Sequence, residues 1–255
     1  MKTELTATMI GSYKRCPRLY ELEYIHELKP VSTSEALMLG SNYHANVEKI
    51  LKREEYDHAG LAGKMAEAFE KYIDWEDWSA VPEQEFKMRI SHGIYLKGRL
   101  DALTKDGVPV EHKTTGTYSL DKYIDHLAYD DQIAIYMLVT GSSRAVYTIM
   151  QKPTIRQKQT ETEEEYLERV EDWYSPEHVM SVNVVRTSGE LEAKREELIY
   201  LAKQIRRTKL YWRNPNTCAL MNCPFASICL NYEPSMQVVG FVKKERRNEE
   251  LSAGL

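Results

Sequence analysis

Two acidic residues and a lysine lie close together near the middle of the 255-residue chain, in segments that favour β-strands. Asp101 ends one predicted strand, and Glu111 and Lys113 share one face of the next, because strand side chains alternate. A turn at 105–107 brings Asp101 across from them. Carboxylates are ligands that Mg²⁺ or Mn²⁺ prefers, and such a metal can polarise a phosphate, while the lysine positions a water molecule. A solvated aspartate beside an edge-strand ion pair is the alternative, because such triplets also arise by chance.

Further side chains are candidates for the same centre. His44 lies on a predicted helix with Glu48 one turn later, and a neutral imidazole can bind a metal, although a lone helical histidine is more often a core or surface residue. Glu85 is an additional candidate carboxylate. Gln132 and Tyr136 share a helix face, where an amide and a phenol can contact a nucleic-acid backbone or the lysine. A buried tyrosine with a satisfied hydroxyl is the alternative there.

The four cysteines of the chain form a second group that can bind a metal: Cys16, Cys218, Cys223 and Cys229. The first segment is too polar for a secretory signal, and no run of about 18 apolar residues predicts a membrane span. We therefore expect a cytoplasmic protein, in which thiols bind metal more often than they form disulfides. A metal shared by all four would join the two ends of the chain and stabilise the fold.

Charge is distributed unevenly in a composition that is otherwise ordinary for a globular protein. The formal net charge is −5, so the whole chain gives no argument for nucleic-acid binding. Basic residues nevertheless concentrate at 194–213, as Lys194, Arg195, Lys203, Arg206, Arg207, Lys209 and Arg213. This segment is either a solvated helix face or a surface that follows phosphates, with Tyr211 and Trp212 beside it as candidates for base stacking.

The elements that position these residues alternate between helix and strand. Periodicity predicts helices at 9–26, 35–54, 60–72, 120–139, 161–173 and 190–209, and strands at 84–90, 94–104, 108–114, 144–151 and 178–186. The strands between 84 and 114 are expected to form an antiparallel meander, and helix 120–139 to end at Gly141. We predict one α/β domain over 1–255, with a helical part at 1–80, a catalytic sheet at 81–152, a helical part with the cysteines at 153–232 and a tail at 233–255.

In their order along the chain, the candidate residues resemble the PD-(D/E)XK nucleases of the RecB type. That order is Gly40 with His44, Glu85, Gly98-Arg-Leu-Asp101, Glu111-His-Lys113 and Gln132-x-x-x-Tyr136. The opening Ser12-Tyr-Lys-Arg-Cys16-Pro-Arg-Leu-Tyr20, followed by the cysteine trio, resembles the iron–sulfur branch of the family. That branch includes CRISPR-associated adaptation nucleases, helicase–nucleases of recombination and phage exonucleases. The resemblance covers roughly residues 10–232.

The resemblance implies a restriction-endonuclease-like core, in which helices flank a central mixed sheet and a metal cluster joins the terminal segments. It implies that Mg²⁺ or Mn²⁺ is bound by His44, Asp101, Glu111 and the backbone carbonyl of His112. Lys113 would orient or activate the attacking water, and Gln132 and Tyr136 would support the site and contact DNA.

The resemblance also implies that Cys16, Cys218, Cys223 and Cys229 bind a [4Fe–4S] cluster. Four residues separate Cys218 from Cys223, where the family commonly has two, and this departure leaves Zn²⁺ open as the alternative.

The resulting interpretation is a metal-dependent DNA nuclease of a bacterial or phage-infected cell, and an exonuclease acting on single strands or duplex ends. No Gly-x₄-Gly-Lys-Ser/Thr run is present, so unwinding would need a helicase or another recombination or CRISPR protein. One alternative is a non-catalytic, nuclease-like DNA-binding or assembly subunit of such a complex. Another is a zinc-stabilised protein-interaction domain with no nucleic-acid role.

Overall fold

A computed structural model describes residues 2–32, 34–76, 78, 82–116, 120–127, 129–220 and 223–245. It contains both helices and strands, as the sequence predicts. In chain order they are β1 (Thr3–Leu5), α1 (Ala7–Arg15), α2 (Pro17–Tyr20), a π-helical turn (Glu21–Ile25), β2 (Leu28–Pro30), α3 (Glu35–Lys52), α4 (Gly60–Tyr72), β3 (Gln84–Ser91), β4 (Ile94–Leu100), β5 (Ala102–Leu103), β6 (Pro109–Thr115), α5 (Leu120–Leu127), α6 (Asp131–Thr140), β7 (Arg144–Gln151), α7 (Glu163–Trp173), β8 (Val179–Val185), α8 (Ser188–Arg207), α9 (Pro215–Leu220) and β9 (Phe241–Lys243).

The chain folds into two compact units, each assembled from separate stretches of sequence. The first unit combines the residues up to 34 with 85–98 and the residues from 193 onward, and the second combines 35–84 with 99–192. The candidate metal-site residues fall in the second unit, apart from Glu85, and the cysteines fall in the first. The division into four consecutive parts drawn from the sequence stays a prediction.

The second unit is a mixed sheet in the order β5-β6-β7-β8, flanked by helices. β6 runs parallel to β7, whereas β5 pairs with β6, and β7 with β8, in antiparallel fashion. The core contains Val47, Phe69, Val110 and Met150, all fully buried. α4 packs against β8, and α6 packs against β6 and β7. This arrangement confirms the predicted α/β class with a mixed sheet flanked by helices.

The first unit contains two small sheets. One has the order β1-β4-β3, with β1 parallel to β4, and the other pairs β2 with β9 in antiparallel fashion. A compact apolar cluster joins the start of the chain to its end, because Leu19 and Leu22 pack with Phe225 and Tyr232 around Cys16. None of the helices in the described ranges is both long enough and apolar enough to cross a bilayer.

Several predicted elements are confirmed within a residue or two, including the helix at 60–72 and the strands at 144–151 and 178–186. The predicted end of a helix at Gly141 is also confirmed. This glycine adopts the left-handed conformation (φ 69°), which only glycine adopts without a steric penalty.

Two helices that the sequence predicts as continuous are interrupted in the structure. The helix predicted at 9–26 breaks at Cys16, whose backbone is extended (φ −164°, ψ 113°), because the following Pro17 disfavours the helical conformation at this position. Pro17 then begins α2, where its missing N–H has no consequence. The helix predicted at 120–139 divides into α5 and α6, and the Asp130 carboxylate caps α6 by accepting the N–H of Gln132.

The predicted antiparallel meander is divided between two sheets. The strand predicted at 94–104 is interrupted at Asp101, so β4 pairs with β1 and β3 in one sheet, and only β5 pairs with β6 in the other. The cause is the carboxylate of Asp101, which accepts the backbone N–H of His112 at 2.8 Å. The Asp101 side chain therefore accepts the His112 N–H, which a backbone carbonyl of a continuous strand would otherwise have accepted.

Candidate active site

The candidate site lies in the second unit, where segments distant in the sequence converge on β6. Glu111 and Lys113 lie on β6, and His44 lies on α3. Asp101 occupies the interruption between β4 and β5, and α6 supplies Gln132 and Tyr136.

His44, Glu83 and Asp101 form a compact group that can hold a metal. One ligand atom from each lies within 4.8 Å of the others, and His44 Nδ1 is 3.9 Å from Asp101 Oδ2. The backbone N–H of Glu83 donates to the carbonyl of Asp101 at 3.0 Å, and its carboxylate pairs with Arg99. Three groups of this kind are suitable donors for Mg²⁺ or Mn²⁺.

Glu83 was missed in the sequence, where Glu85 was the candidate accessory carboxylate. Glu85 has an exposed side chain on β3 and is not a member of the group, although it is only two residues away. Glu83 precedes β3 and has a positive φ of 59°. Strand alternation therefore says nothing about its direction, and no spacing in the sequence identifies it.

Glu111 and Lys113 are locked together with Gln132 in one hydrogen-bond network. Lys113 Nζ donates to Glu111 Oε1 at 2.6 Å and to Gln132 Oε1 at 2.9 Å. The amide nitrogen of Gln132 donates to Glu111 Oε2 at 3.0 Å and to the Tyr136 hydroxyl at 2.9 Å. Tyr136 donates in turn to the carbonyl of Arg99. The structure thus brings together the four residues singled out on β6 and α6.

Asp130 is a second residue that the sequence analysis missed. Its Oδ2 is 3.6 Å from Lys113 Nζ and accepts the hydroxyl of Tyr147 at 3.0 Å, while Oδ1 accepts the N–H of Gln132 at 2.8 Å. Tyr147 lies close to this group because it is the residue on β7 that pairs with Glu111 on β6. An aspartate immediately before an apolar helix is a capping signal that could have located Asp130.

His112 presents its backbone and its side chain to different surroundings. Its N–H holds Asp101, whereas its imidazole is buried against Phe69 and Trp78 and forms a hydrogen bond with Thr148 at 2.6 Å. Burial, together with His44, lowers the pKa of His112 well below its usual value, so the ring is neutral. The metal-ligand role of its carbonyl stays a prediction.

Burial and mutual repulsion raise the pKa values of the clustered carboxyl groups. Burial raises the pKa of Glu111 to about 8, with the Asp101 charge adding to the shift, and raises that of Asp101 to about 6. Burial likewise raises the pKa of Glu83 to about 7, in spite of Arg99. Burial is the largest cause of all three shifts, and a bound divalent cation would favour the ionised forms.

Lys113 and His44 respond to the same environment in different ways. Burial acts to lower the pKa of Lys113, but the carboxylates of Glu111, Asp130 and Asp101 outweigh it and raise that pKa. The side chain is therefore an ammonium ion. Burial lowers the pKa of His44 more than Glu111 raises it, which favours the neutral imidazole that a metal requires.

Two glycines of the candidate motifs act through close packing. A Cβ on Gly40 would lie 3.3 Å from Thr114 Oγ1, so the glycine lets α3 approach β6 and bring His44 to the site. A Cβ on Gly98 would lie 2.7 Å from Cζ of Phe86, whose ring covers that glycine on the neighbouring strand. Both positions serve the elements that carry site residues.

The four cysteines are free thiols in the first unit. Cys16 is buried in the apolar cluster with Cys223 and Cys229 packed against it, and Cys218 is exposed on α9. Burial and the neighbouring Cys218 and Cys229 raise the pKa of Cys223. The N–H of Asn214 donates to Cys16 Sγ at 3.4 Å. All four cysteines are described, and no three of their sulfur atoms lie within 4.8 Å of one another.

Comparison with known proteins gives a family match over most of the chain. The sequence model of the PD-(D/E)XK nuclease superfamily matches residues 4–230. No curated protein is similar enough in sequence to match the chain.

Solved structures show a shared fold at low sequence identity. The crystal structure of SSO0001 is 17% identical with a TM-score of 0.51, covering 90% of this chain and 87% of that chain. That of a protein named as a putative exonuclease from Eubacterium rectale is 14% identical with a TM-score of 0.51, covering 99% of this chain and 94% of that chain. A phage-related exonuclease from Haemophilus somnus 129PT is 14% identical and covers 72% of this chain and 90% of that chain, with a TM-score of only 0.37.

Proposed function

Because the chain belongs to the PD-(D/E)XK nuclease superfamily, we propose that it is a metal-dependent deoxyribonuclease that hydrolyses phosphodiester bonds as an exonuclease. The observation that carries this proposal is the convergence of the buried Glu111 and the partly buried Asp101, with their raised pKa values, beside the protonated Lys113. Buried acids around one ammonium are expected at a centre that binds a divalent cation and a phosphate.

The donor set suits Mg²⁺ or Mn²⁺, which are the proposed cofactors. His44, Asp101 and Glu111 would bind the ion together with the backbone carbonyl of His112, and Glu83 is close enough to His44 and Asp101 to contribute. When bound, the cation would polarise a phosphate oxygen and acidify a water molecule.

The protonation state of Lys113 defines its proposed role. An ammonium donates hydrogen bonds and cannot accept a proton, so Lys113 would orient the attacking water or stabilise charge on the phosphate. Glu111 and Gln132 hold its Nζ by hydrogen bonds of 2.6 and 2.9 Å. Tyr136 fixes the amide of Gln132, and DNA contact by these two residues is part of the proposal.

The phosphate-binding surface is proposed to be the basic end of α8 and the segment after it. Lys203, Arg206, Arg207 and Lys209 are exposed there. Arg195, earlier on the helix, donates to the carbonyl of Ile90 and is already engaged in the fold. A local basic surface of this kind can bind DNA although the chain as a whole is acidic.

The proposed occupant of the four cysteines is a [4Fe–4S] cluster. A tetrahedral zinc site, with Zn–S distances of about 2.3 Å, would bring its sulfur atoms to about 3.8 Å from one another. No three of these sulfur atoms lie within 4.8 Å of one another, a wider arrangement than a zinc site requires, and this supports the larger cluster. The hydrogen bond from Asn214 to Cys16 Sγ is one that a ligand thiolate would accept.

The nuclease proposal is tested with labelled single-stranded and duplex DNA in the presence of Mn²⁺. Asp101→Asn should reduce the cleavage rate about 1,000-fold, a loss typical of removing a group that stabilises transition-state charge. Asp125→Asn is the matched control, since Asp125 is exposed on α5. End-labelled and internally labelled substrates distinguish exonuclease from endonuclease action.

Equal cleavage by the wild type and Asp101→Asn would reject this metal site. DNA binding by the wild type without any cleavage would instead support a non-catalytic, nuclease-like subunit.

A further inference from the structure

A cavity of about 560 Å³ in the second unit lies outside the group of site residues described above. Its volume is within the range of about 300–1,000 Å³ that is usual for small-ligand pockets. Trp75 and Trp78 line it together with Arg53 and the turn at Thr104 and Lys105.

Backbone contacts link the two tryptophans to each other and to the turn at Thr104 and Lys105. The N–H of Trp78 donates to the carbonyl of Trp75 at 2.9 Å, which closes a turn soon after α4 ends. Trp78 also forms an isolated antiparallel bridge with Thr104. That turn is itself ordered, because the N–H of Gly107 donates to the carbonyl of Thr104 at 3.0 Å. The backbone of each tryptophan thus takes part in a hydrogen bond close to the cavity.

The charged groups of the cavity favour an anionic ligand. The guanidinium of Arg53 lies 5.6 Å from the ring centroid of Trp75, within the range of a cation–π contact. Arg53 directly follows α3 and has a positive φ of 59°. Its Cα position is therefore set by the end of the helix. Lys105 adds a second cation, and Glu76 is the one carboxylate among the lining residues that the structure describes.

The cavity is linked to the candidate active site through ring contacts. Trp78 stacks on His112 with ring centroids 5.8 Å apart and an interplanar angle of 29°. His112 in turn is 6.1 Å from the ring of His44. A ligand against Trp78 is thus two ring contacts away from a proposed metal ligand.

We propose that this cavity is a stacking subsite for one or two bases of single-stranded DNA, an inference that rests on the proposed nuclease function. Aromatic faces beside cations are the combination that binds single strands without sequence preference. A duplex keeps its bases stacked inside the helix and presents no base face to the indoles. The subsite therefore selects a single strand next to the cleavage centre.

The test measures binding of fluorescent oligothymidylate to the full chain by anisotropy, with EDTA present to prevent cleavage. Trp75→Leu should weaken binding about 10-fold, whereas Trp75→Phe, which keeps an aromatic face, should weaken it about 3-fold or less. Arg53→Gln should weaken binding and reduce the slope of log K against log salt by about 1. Arg144→Gln is the matched control, because Arg144 is an exposed arginine paired with Asp106.

Equal losses for Trp75→Leu and Trp75→Phe, or wild-type binding by Trp75→Leu, would overturn the subsite. Thermal unfolding of each variant shows whether a loss of binding comes from loss of fold. Cleavage with Mn²⁺ is scored separately. Trp75-dependent binding without cleavage would reject the nuclease function and leave the subsite, and cleavage with Trp75-independent binding would do the reverse.

Discussion

At the scale of single residues, Gln132 links three other residues of the candidate site by hydrogen bonds. Its amide accepts from Lys113 and donates to both Glu111 and Tyr136. An amide suits this position because it carries an acceptor for the ammonium and a donor for the carboxylate. An ionised glutamate could not donate to Glu111, and a leucine could neither accept from Lys113 nor donate to Glu111.

Gln132→Leu should therefore impair the site without unfolding the protein. We expect a 10- to 100-fold loss in cleavage rate or in Mn²⁺ affinity, which is the usual effect of removing a group that orients a metal ligand. Tyr136→Phe should have a smaller effect, because the amide keeps its contacts with Glu111 and Lys113. Rates measured across Mn²⁺ concentrations separate the two quantities, and an unaltered Gln132→Leu enzyme would contradict this role.

The raised pKa of Glu111 predicts how the stability of the metal-free protein changes with pH. Its folded pKa of about 8 lies above the ordinary value of 4.5, so the folded state keeps a proton that the unfolded state releases. Stability should therefore fall as pH rises from about 4.5 to 8 and then level off. Glu111→Gln should flatten this decline.

The measurement is thermal unfolding in EDTA between pH 5 and pH 9, for the wild type and Glu111→Gln. Asp101 and Glu83 contribute the same sign of slope in both proteins, so the difference between the two curves reports Glu111 together with its coupling to these two carboxyl groups. Mn²⁺ should restore stability most at the alkaline end, where the carboxylates are ionised. A difference that does not vary with pH would contradict the assigned pKa.

At the scale of elements, the break at Asp101 decides which strands carry the site. β4 ends at Leu100 and β5 begins at Ala102, and the intervening carboxylate binds the backbone of β6 through the N–H of His112. Asp101 is thereby placed beside β6 although β4 belongs to another sheet. The glycine at position 98 serves the same arrangement, because Phe86 covers it from β3.

Gly98→Ala should destabilise the protein by about 1–3 kcal/mol, because the new methyl group would overlap the ring of Phe86. Adding Phe86→Leu to Gly98→Ala should partly restore stability, because the smaller side chain makes room for the methyl group. Urea unfolding of the two single variants and the double variant measures this coupling. Strictly additive losses would show that the ring does not restrict Gly98.

At the scale of the whole molecule, the four cysteines come from near both ends of the chain and all fall within the first unit. Cys16 lies between α1 and α2, and Cys218, Cys223 and Cys229 follow α8. A cluster bound by all four would close a loop that spans most of the sequence, and its binding energy would become folding energy.

Cys218→Ser separates a cluster ligand from a simple surface thiol. Cys218 is exposed, and an exposed thiol without a partner would change stability by no more than about 0.5 kcal/mol when replaced. As a cluster ligand it should instead lower the unfolding temperature by several degrees and abolish visible absorbance and bound iron. The readouts are thermal unfolding, absorbance and metal analysis, and a colourless wild type that contains zinc would reject the iron–sulfur assignment.

The sequence by itself singled out candidate residues on β6 and α6 and much of their local geometry. Alternation along one strand placed Glu111 and Lys113 on one face, and the four-residue spacing on one helix placed Gln132 with Tyr136. These relations depend on the period of a single element, which short-range patterns encode. The α/β class followed from the same periodicities.

Only the tertiary structure decided which distant groups complete the site. Glu83 joins His44 and Asp101 from a loop, Asp130 reaches Lys113 from a helix cap, and Asp101 divides a strand that periodicity predicted as continuous. Each of these placements depends on contacts between segments far apart in the chain. Local propensity cannot encode such contacts, because they exist only once the sheet and the helices have packed.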